Sequence, residues 1–203
     1  MTGLLPPPSR PMRKLFEPSF EQQQRGVVWV DRVGGEFADF TPNQRLAGLA
    51  RRHAREWHRG QLDKQGRDYF MHHLWPVAEM ARSLAIGLGL DADTVDFVEG
   101  LALLHDCRED QGVTDDMLIA AGLGDYCEGV EHLSKTDGTP YQVYIVMLVQ
   151  VGSIEVVVVK LADNFINSTT LDDLPFEDQE RMGPKYDEAR PILMGRVMAH
   201  GQK

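Results

Sequence analysis

The stretch 101-LALLHDCRED-110 runs four apolar residues into His105 and Asp106, and Glu109 and Asp110 follow one helical turn later. A carboxylate in an apolar setting is costly unless a cation or a hydrogen-bond donor meets it. On a helix, Val98, Leu101, Ala102 and His105 share one stripe, so His105 is expected to point with the core side chains. Asp106 falls about 100° further round. Glu109 stands at i+4 from His105 and Asp110 at i+4 from Asp106, which gives two stacked pairs on one helix surface. Imidazole with carboxylate suits Mn, Fe, Zn or a similar divalent ion. Taken alone, the stretch balances that reading evenly against a hydrogen-bonded core histidine followed by a solvated acidic helix end. A metal site needs ligands from elsewhere, and two places offer them. In 69-YFMHHLWPVA-78 two histidines stand at a loop-to-helix junction, and in 160-KLADNFIN-167 Asp163 follows an apolar run with Asn167 one turn on. Each has a plain alternative: a polar helix start for His72 and His73, a helix cap for Asp163.

The elements that must position these groups read as helices. Thr41-Pro42-Asn43-Gln44 has the form of an N-cap, a proline at the first helical position and a glutamine at N3. Leu46, Leu49, Ala50, His53, Ala54 and Trp57 then share a face. A second helix is expected over 74–85, with Pro76 tolerated in its first turn. A third is expected over 92–109, stopped by Gly112. Shorter helices are expected around 115–121 and 125–134. Tyr141, Tyr144, Ile145, Leu148 and Val149 suit a helix, although the segment also alternates as a strand does. In IEVVVVKLAD the four valines favour a strand by propensity. A last helix is expected over 184–199, bent or restarted at Pro191. Residues 1–40 differ: PPPSRP is expected to be extended or disordered, and VVWVDRVGGEFADF suits a short hairpin or irregular cover. The fold class expected is all-α, a compact helical bundle over 41–203 with a non-helical arm over 1–40.

The chain has 203 residues, enough for one sizeable core. Its net charge of -10 argues against a nucleic-acid or anionic-membrane surface, which needs a basic face. It leaves room for a small phosphorylated ligand in a locally basic or metal-bearing pocket. Cys107 and Cys127 are too few for a disulfide scaffold, and a reducing cytoplasm is the simpler setting. MTGLLPPPSRPMRK lacks the apolar centre of a signal peptide. The apolar run from Val143 to Val159 is interrupted by Gln150, Gly152, Ser153 and Glu155, so it makes a poor membrane span.

Taken together, the three motif stretches spell H…HD…D, the ligand order of the HD-domain metal-dependent phosphohydrolases. The resemblance goes further. 58-HRGQLDKQGRDYFMHHL-74 resembles the HxGQxRKxGxPYxxHPL segment of the hydrolase domain of RelA/SpoT-type alarmone enzymes and their small stand-alone relatives. 103-LLHDCRED-110 is similar to their LLHDxxED, 133-LSKTDGTPY-141 to their LTK/LTR element, and 159-VKLADNFIN-167 to their VKLADxxxN. The similarity spans about residues 43–175. It supports reading the valine run as a helix.

Carried over by position, the resemblance implies metal ligands His73, His105, Asp106 and Asp163 for one divalent ion, Mn2+ first among the choices. Counting forward from Tyr69 selects His72 and counting back from Val77-Ala78 selects His73, because one extra residue lies between those landmarks. His73 is preferred, as it is closer to the packed helix. Glu109 and Asp110 become the pair handling water and leaving group. Lys64 becomes a phosphate contact, and Tyr141 and Asn167 pocket residues; their bland readings are a surface lysine for Lys64 and a core residue for Tyr141. Cys107 reads as packing. The expected reaction is loss of the 3′-pyrophosphate from (p)ppGpp, with a metal polarising a phosphoryl oxygen. The alternatives are a phosphatase acting on another nucleotide or dinucleotide such as NADPH, and a non-catalytic nucleotide-sensing protein; a plain helical interaction protein without metal is a further one. Two departures stand out. Asp63 occupies a usual arginine position, and the HPL proline is replaced by the later Pro76. The family's nucleotide-synthesising domain has no counterpart in these residues. The partner expected is a small phosphorylated nucleotide, with no nucleic acid and no membrane; pairing with a second copy of the chain is left open.

Overall fold

In the computed structural model, which describes residues 42–201, the four-valine run is helical. The expected arm over 1–40, its hairpin and the Thr41 cap lie outside the described residues. Helix α1 is Pro42–Trp57, α2 Trp75–Gly87, α3 Ala92–Leu104, α4 Cys107–Gln111, α5 Asp115–Ala120, α6 Cys127–Leu133, α7 Tyr141–Val151, α8 Ile154–Thr169 and α9 Phe176–His200. Among the described residues the only β pairing is an isolated antiparallel bridge between Leu62 and Asp68.

Helix α8 explains why the valines do not form a strand. It packs against α2, α3 and α9, and Val156, Val157, Val158, Val159, Leu161 and Ala162 are all buried. A segment apolar all round suits the centre of a bundle, and tertiary burial overrides a propensity of about 1 kcal/mol. Gly152 and Ser153 divide α7 from α8, and no described helix is long and apolar enough to cross a membrane. Helix α3 packs on α1 and α2. That approach requires Gly100, since a Cβ there would lie 2.0 Å from the Tyr126 hydroxyl and 3.2 Å from Ala47 Cα.

Two expected spans are corrected. The helix over 92–109 is broken: α3 ends at Leu104, and α4 begins at Cys107 after a turn at His105 and Asp106. Gly112 does stop α4, in the left-handed region at φ 65°. The last helix starts at Phe176, well before Pro184, and is helical through both Pro184 and Pro191. Pro175 and the acidic first turn of Glu177 and Asp178 supply its start, since carboxylates favour a helix N-terminus. Each internal proline removes one backbone donor, and packing on α8 and α7 sustains the helix.

Candidate active site

The break between α3 and α4 creates the centre of the site. On a continuous helix His105 and Asp106 would diverge by about 100°. In the turn they converge, with His105 Nε2 2.9 Å from Asp106 Oδ2. The single-face arrangement of two stacked pairs is thereby replaced. His105 is buried, and its Nδ1 lies 2.7 Å from the Ala102 carbonyl. A carbonyl only accepts, so Nδ1 carries a proton and Nε2 is the ring nitrogen that faces the centre.

His73 comes from the turn leading into α2. Phe70–Leu74 is π-helical, and the Trp75 N–H reaches the Phe70 carbonyl. A π turn takes one more residue than an α turn, which absorbs the extra residue between Tyr69 and Val77. His73 is buried and faces the other groups, while His72 is exposed on the cavity wall. His73 Nε2 lies 3.3 Å from His105 Nε2, 3.3 Å from Asp106 Oδ2 and 3.6 Å from Asp163 Oδ1. Asp163 Oδ1 is 3.7 Å from His105 Nε2. His73, His105 and Asp106 offer ligand atoms all within 4.8 Å of one another.

This set fits a divalent cation. Donors about 2.1 Å from a shared ion stand about 3.0–3.4 Å apart, close to the spacings found. The charges agree. Burial opposes a charged His105, but Asp106 and Asp163 outweigh it and push the imidazole up to about 10. Burial likewise opposes the Asp106 and Asp163 carboxylates, yet His105 and His73 around the first, and Lys160 and His105 around the second, hold both well below the ordinary range. The centre is therefore one that demands positive charge.

Several groups that were not singled out from the sequence support it. Tyr69, used only as a landmark, donates its hydroxyl to Asp106 Oδ2 at 2.6 Å. Burial and the Asp106 charge push its phenol up, so it remains a donor. Lys160, buried, holds Asp163 Oδ2 at 2.9 Å, and Asn167, expected from the sequence as a pocket residue, donates to Asp163 Oδ1. Lys160 stands inside the VKLAD motif, and a lysine three residues before an aspartate on one helix was the available signal. Gln61 Nε2 donates to Asp110 Oδ2 at 2.7 Å.

A cavity of about 280 Å³ opens beside the centre, walled in part by Tyr69, His73, Asp110, Asn167, Lys64 and Tyr186. Lys64 is exposed, with Nζ 3.1 Å from Met182 Sδ. Glu109 is exposed and accepts from the Lys135 backbone N–H; it is not part of the cavity wall. Tyr141 is also off that wall: its ring meets Tyr186 edge-on at 6.3 Å, and Lys185 Nζ sits 4.9 Å from its centre. Asp63 is spent within its own loop, accepting from the Gln65 and Arg67 backbone and from Arg67 Nε at 2.8 Å. Burial works against that carboxylate, and these hydrogen bonds still hold it below its ordinary value. Cys107 is buried and its thiol is pushed up to about 12 by burial and Asp106, in keeping with a packing role.

No family model matches the chain. Over 159 residues it is 33% identical to a guanosine-3′,5′-bis(diphosphate) 3′-pyrophosphohydrolase of Vibrio cholerae serotype O1 (strain ATCC 39315 / El Tor Inaba N16961), across 74% of this chain and 21% of that protein. The chain thus spans about a fifth of the curated relative's length. A solved structure, described as a metazoan ortholog of SpoT that hydrolyzes ppGpp and plays a role in starvation responses, superposes with a TM-score of 0.59. That likeness covers 80% of this chain and 93% of that one at 18% identity, and shows a shared fold. Over most of its length the chain is thus similar in sequence to part of a ppGpp pyrophosphohydrolase. The all-α fold read from the sequence is the fold found over the described residues.

Proposed function

We propose that this chain is an HD-type, metal-dependent phosphohydrolase that removes the 3′-pyrophosphate of (p)ppGpp. The observation that carries the reading is the convergence of His73, the adjacent pair His105 and Asp106, and Asp163 from three separate parts of the chain around one centre beside a cavity. The name of the bacterial relative supplies the substrate. These four residues would hold one divalent ion, Mn2+ in our reading. When bound, the ion supplies Lewis-acid polarisation of a phosphoryl oxygen and acidifies water.

The chain's own groups do the rest. Asp110 lies on the cavity wall with one carboxylate oxygen fixed by Gln61, so it is placed to take a proton from the attacking water. Glu109, held at the Lys135 backbone, is assigned to the leaving pyrophosphate side. Lys64 contributes a cation to a phosphate in the cavity, Asn167 borders the substrate, and Tyr141 packs against Tyr186 of that wall. Asn167 also steadies Asp163. A reaction in the cytoplasm agrees with two free cysteines.

One observation favours a second reading. With Asp63 tied to Arg67, no guanidinium stands at that position to stack on a base. That suits phosphate removal from another nucleotide or a dinucleotide such as NADPH on the same centre. The purified protein with Mn2+, screened over ppGpp, pppGpp, NADPH and common nucleotides, separates the two. Pyrophosphate release from ppGpp, lost in His105→Ala, is the expected result. Release of only inorganic phosphate from another nucleotide supports the second reading, and no release from any of them with any divalent ion contradicts both.

A further inference from the structure

His58 is almost fully buried at 1% exposure, and the reaction described above leaves it idle. It follows α1 directly, and its ring stacks on Tyr69 at 5.5 Å. Its Nδ1 lies 2.7 Å from Gln61 Oε1. Gln61 is pinned at its backbone: its N–H donates to the His58 carbonyl and its carbonyl accepts from the Tyr69 N–H, both at 3.0 Å. Its side-chain amide meets three groups, His58 Nδ1 and Gln111 Nε2 at the oxygen and Asp110 Oδ2 at the nitrogen.

The direction of this chain follows from donor and acceptor chemistry. An ionised carboxylate only accepts, so Gln61 must turn its NH2 toward Asp110. The carbonyl oxygen then faces His58 and Gln111. The Gln111 amide donates to it, and His58 must do so through a protonated Nδ1. A flipped Gln61 would set oxygen against the Asp110 carboxylate and NH2 against the Gln111 NH2. We infer that His58 is a positioning residue, locked as the Nδ1–H tautomer, that fixes the Gln61 amide and through it the orientation of Asp110. The inference rests on the proposed role of Asp110 as proton acceptor and adds the group that aims it. The rest of the ring agrees. His58 Nε2 is buried with no partner, a tolerable place for a lone pair and a poor one for an N–H. Burial also pushes the imidazole below its ordinary value, outweighing Gln61, Asp106 and Asp110, so it is neutral near pH 7.5.

Two measurements on the full chain test this. First, 15N NMR of the imidazoles at pH 7.5 with Mg2+ is expected to show His58 protonated at Nδ1 and bare at Nε2. An Nε2–H tautomer or an imidazolium there overturns the inference, whatever the protein hydrolyses. Second, pyrophosphate release from ppGpp with Mn2+ is compared in parent, His58→Phe and His58→Asn. Phenylalanine keeps the stack on Tyr69 and loses the donor; asparagine offers an N–H near the Nδ1 position. The expected result is a drop of roughly 10–100-fold in kcat for His58→Phe, a range found for outer-shell partners, with KM and bound metal unchanged and most of kcat regained in His58→Asn. A parental kcat in His58→Phe, or no recovery in His58→Asn, overturns the inference. If the parent releases no pyrophosphate, the proposed reaction fails, and the tautomer measurement still decides the role of His58.

Discussion

Replacing Lys160 with methionine removes the ammonium that contacts Asp163 Oδ2, and the structure sets the size of the effect. Both residues are buried, at 8% and 5% exposure, and Nζ lies 2.9 Å from Oδ2. The Lys160 ammonium also sits 5.4 Å from the Tyr144 ring centre, so little water reaches the pair. Breaking a buried pair from one side costs about 3–5 kcal/mol, because the remaining charge keeps its desolvation penalty. For a chain of this size, about 2–4 °C of melting temperature accompanies each kcal/mol. Lys160→Met is therefore expected to lower the melting temperature of chelator-treated protein by roughly 6–20 °C, read by circular dichroism. Two controls follow from the same cause. A divalent ion restores part of the loss by supplying positive charge to Asp163, and Lys160→Met/Asp163→Asn is more stable than Lys160→Met alone. A fall below about 2 °C, or a double variant no more stable than the single one, would refute the reasoning.

Tyr69→Phe removes a hydroxyl that orients Asp106, so metal affinity is expected to fall roughly 10–100-fold; a metal titration with unchanged affinity would contradict this. Gly100→Ala forces a Cβ onto the buried Tyr126 ring, at a cost of about 1–3 kcal/mol in urea denaturation. Tyr126→Phe is close to neutral, since that hydroxyl has no partner to lose. Asp63→Asn loses the ion pair with Arg67, worth up to about 1 kcal/mol near neutral pH. The folded Asp63 carboxyl sits below its ordinary 3.8, so its contribution is present above that value and lost as pH falls through the depressed one. The stability gap between parent and Asp63→Asn should therefore close in acid, and a gap that persists at low pH would sink the assignment.

The helical periodicities were legible wherever one face was apolar, as in α1 and α2. They were silent where a helix is buried all round: by propensity alone the valines of α8 favour a strand, because periodicity vanishes when every face is covered, and the motif resemblance is what favoured a helix there. The centre was legible as residue types and order, and its geometry was not. No local pattern announces the turn at His105 and Asp106, since LALLHDCRED has neither glycine nor proline; packing makes the break. The choice between His72 and His73 turned on one surplus residue, and a π turn, which leaves no signature of its own, accommodates it. Asp63 read as a departure from a usual arginine position. Its carboxylate is closed by the loop's own N–H groups and Arg67, a contact four residues away that a β-type bridge at Leu62 and Asp68 brings into reach.

Metal stoichiometry after equilibrium dialysis against Mn2+ tests the centre most directly. One ion per chain in the parent, with His105→Ala and Asp163→Asn folded and holding almost none, is the predicted result. Folded variants that retain as much ion as the parent would contradict the shared centre and the chemistry built on it.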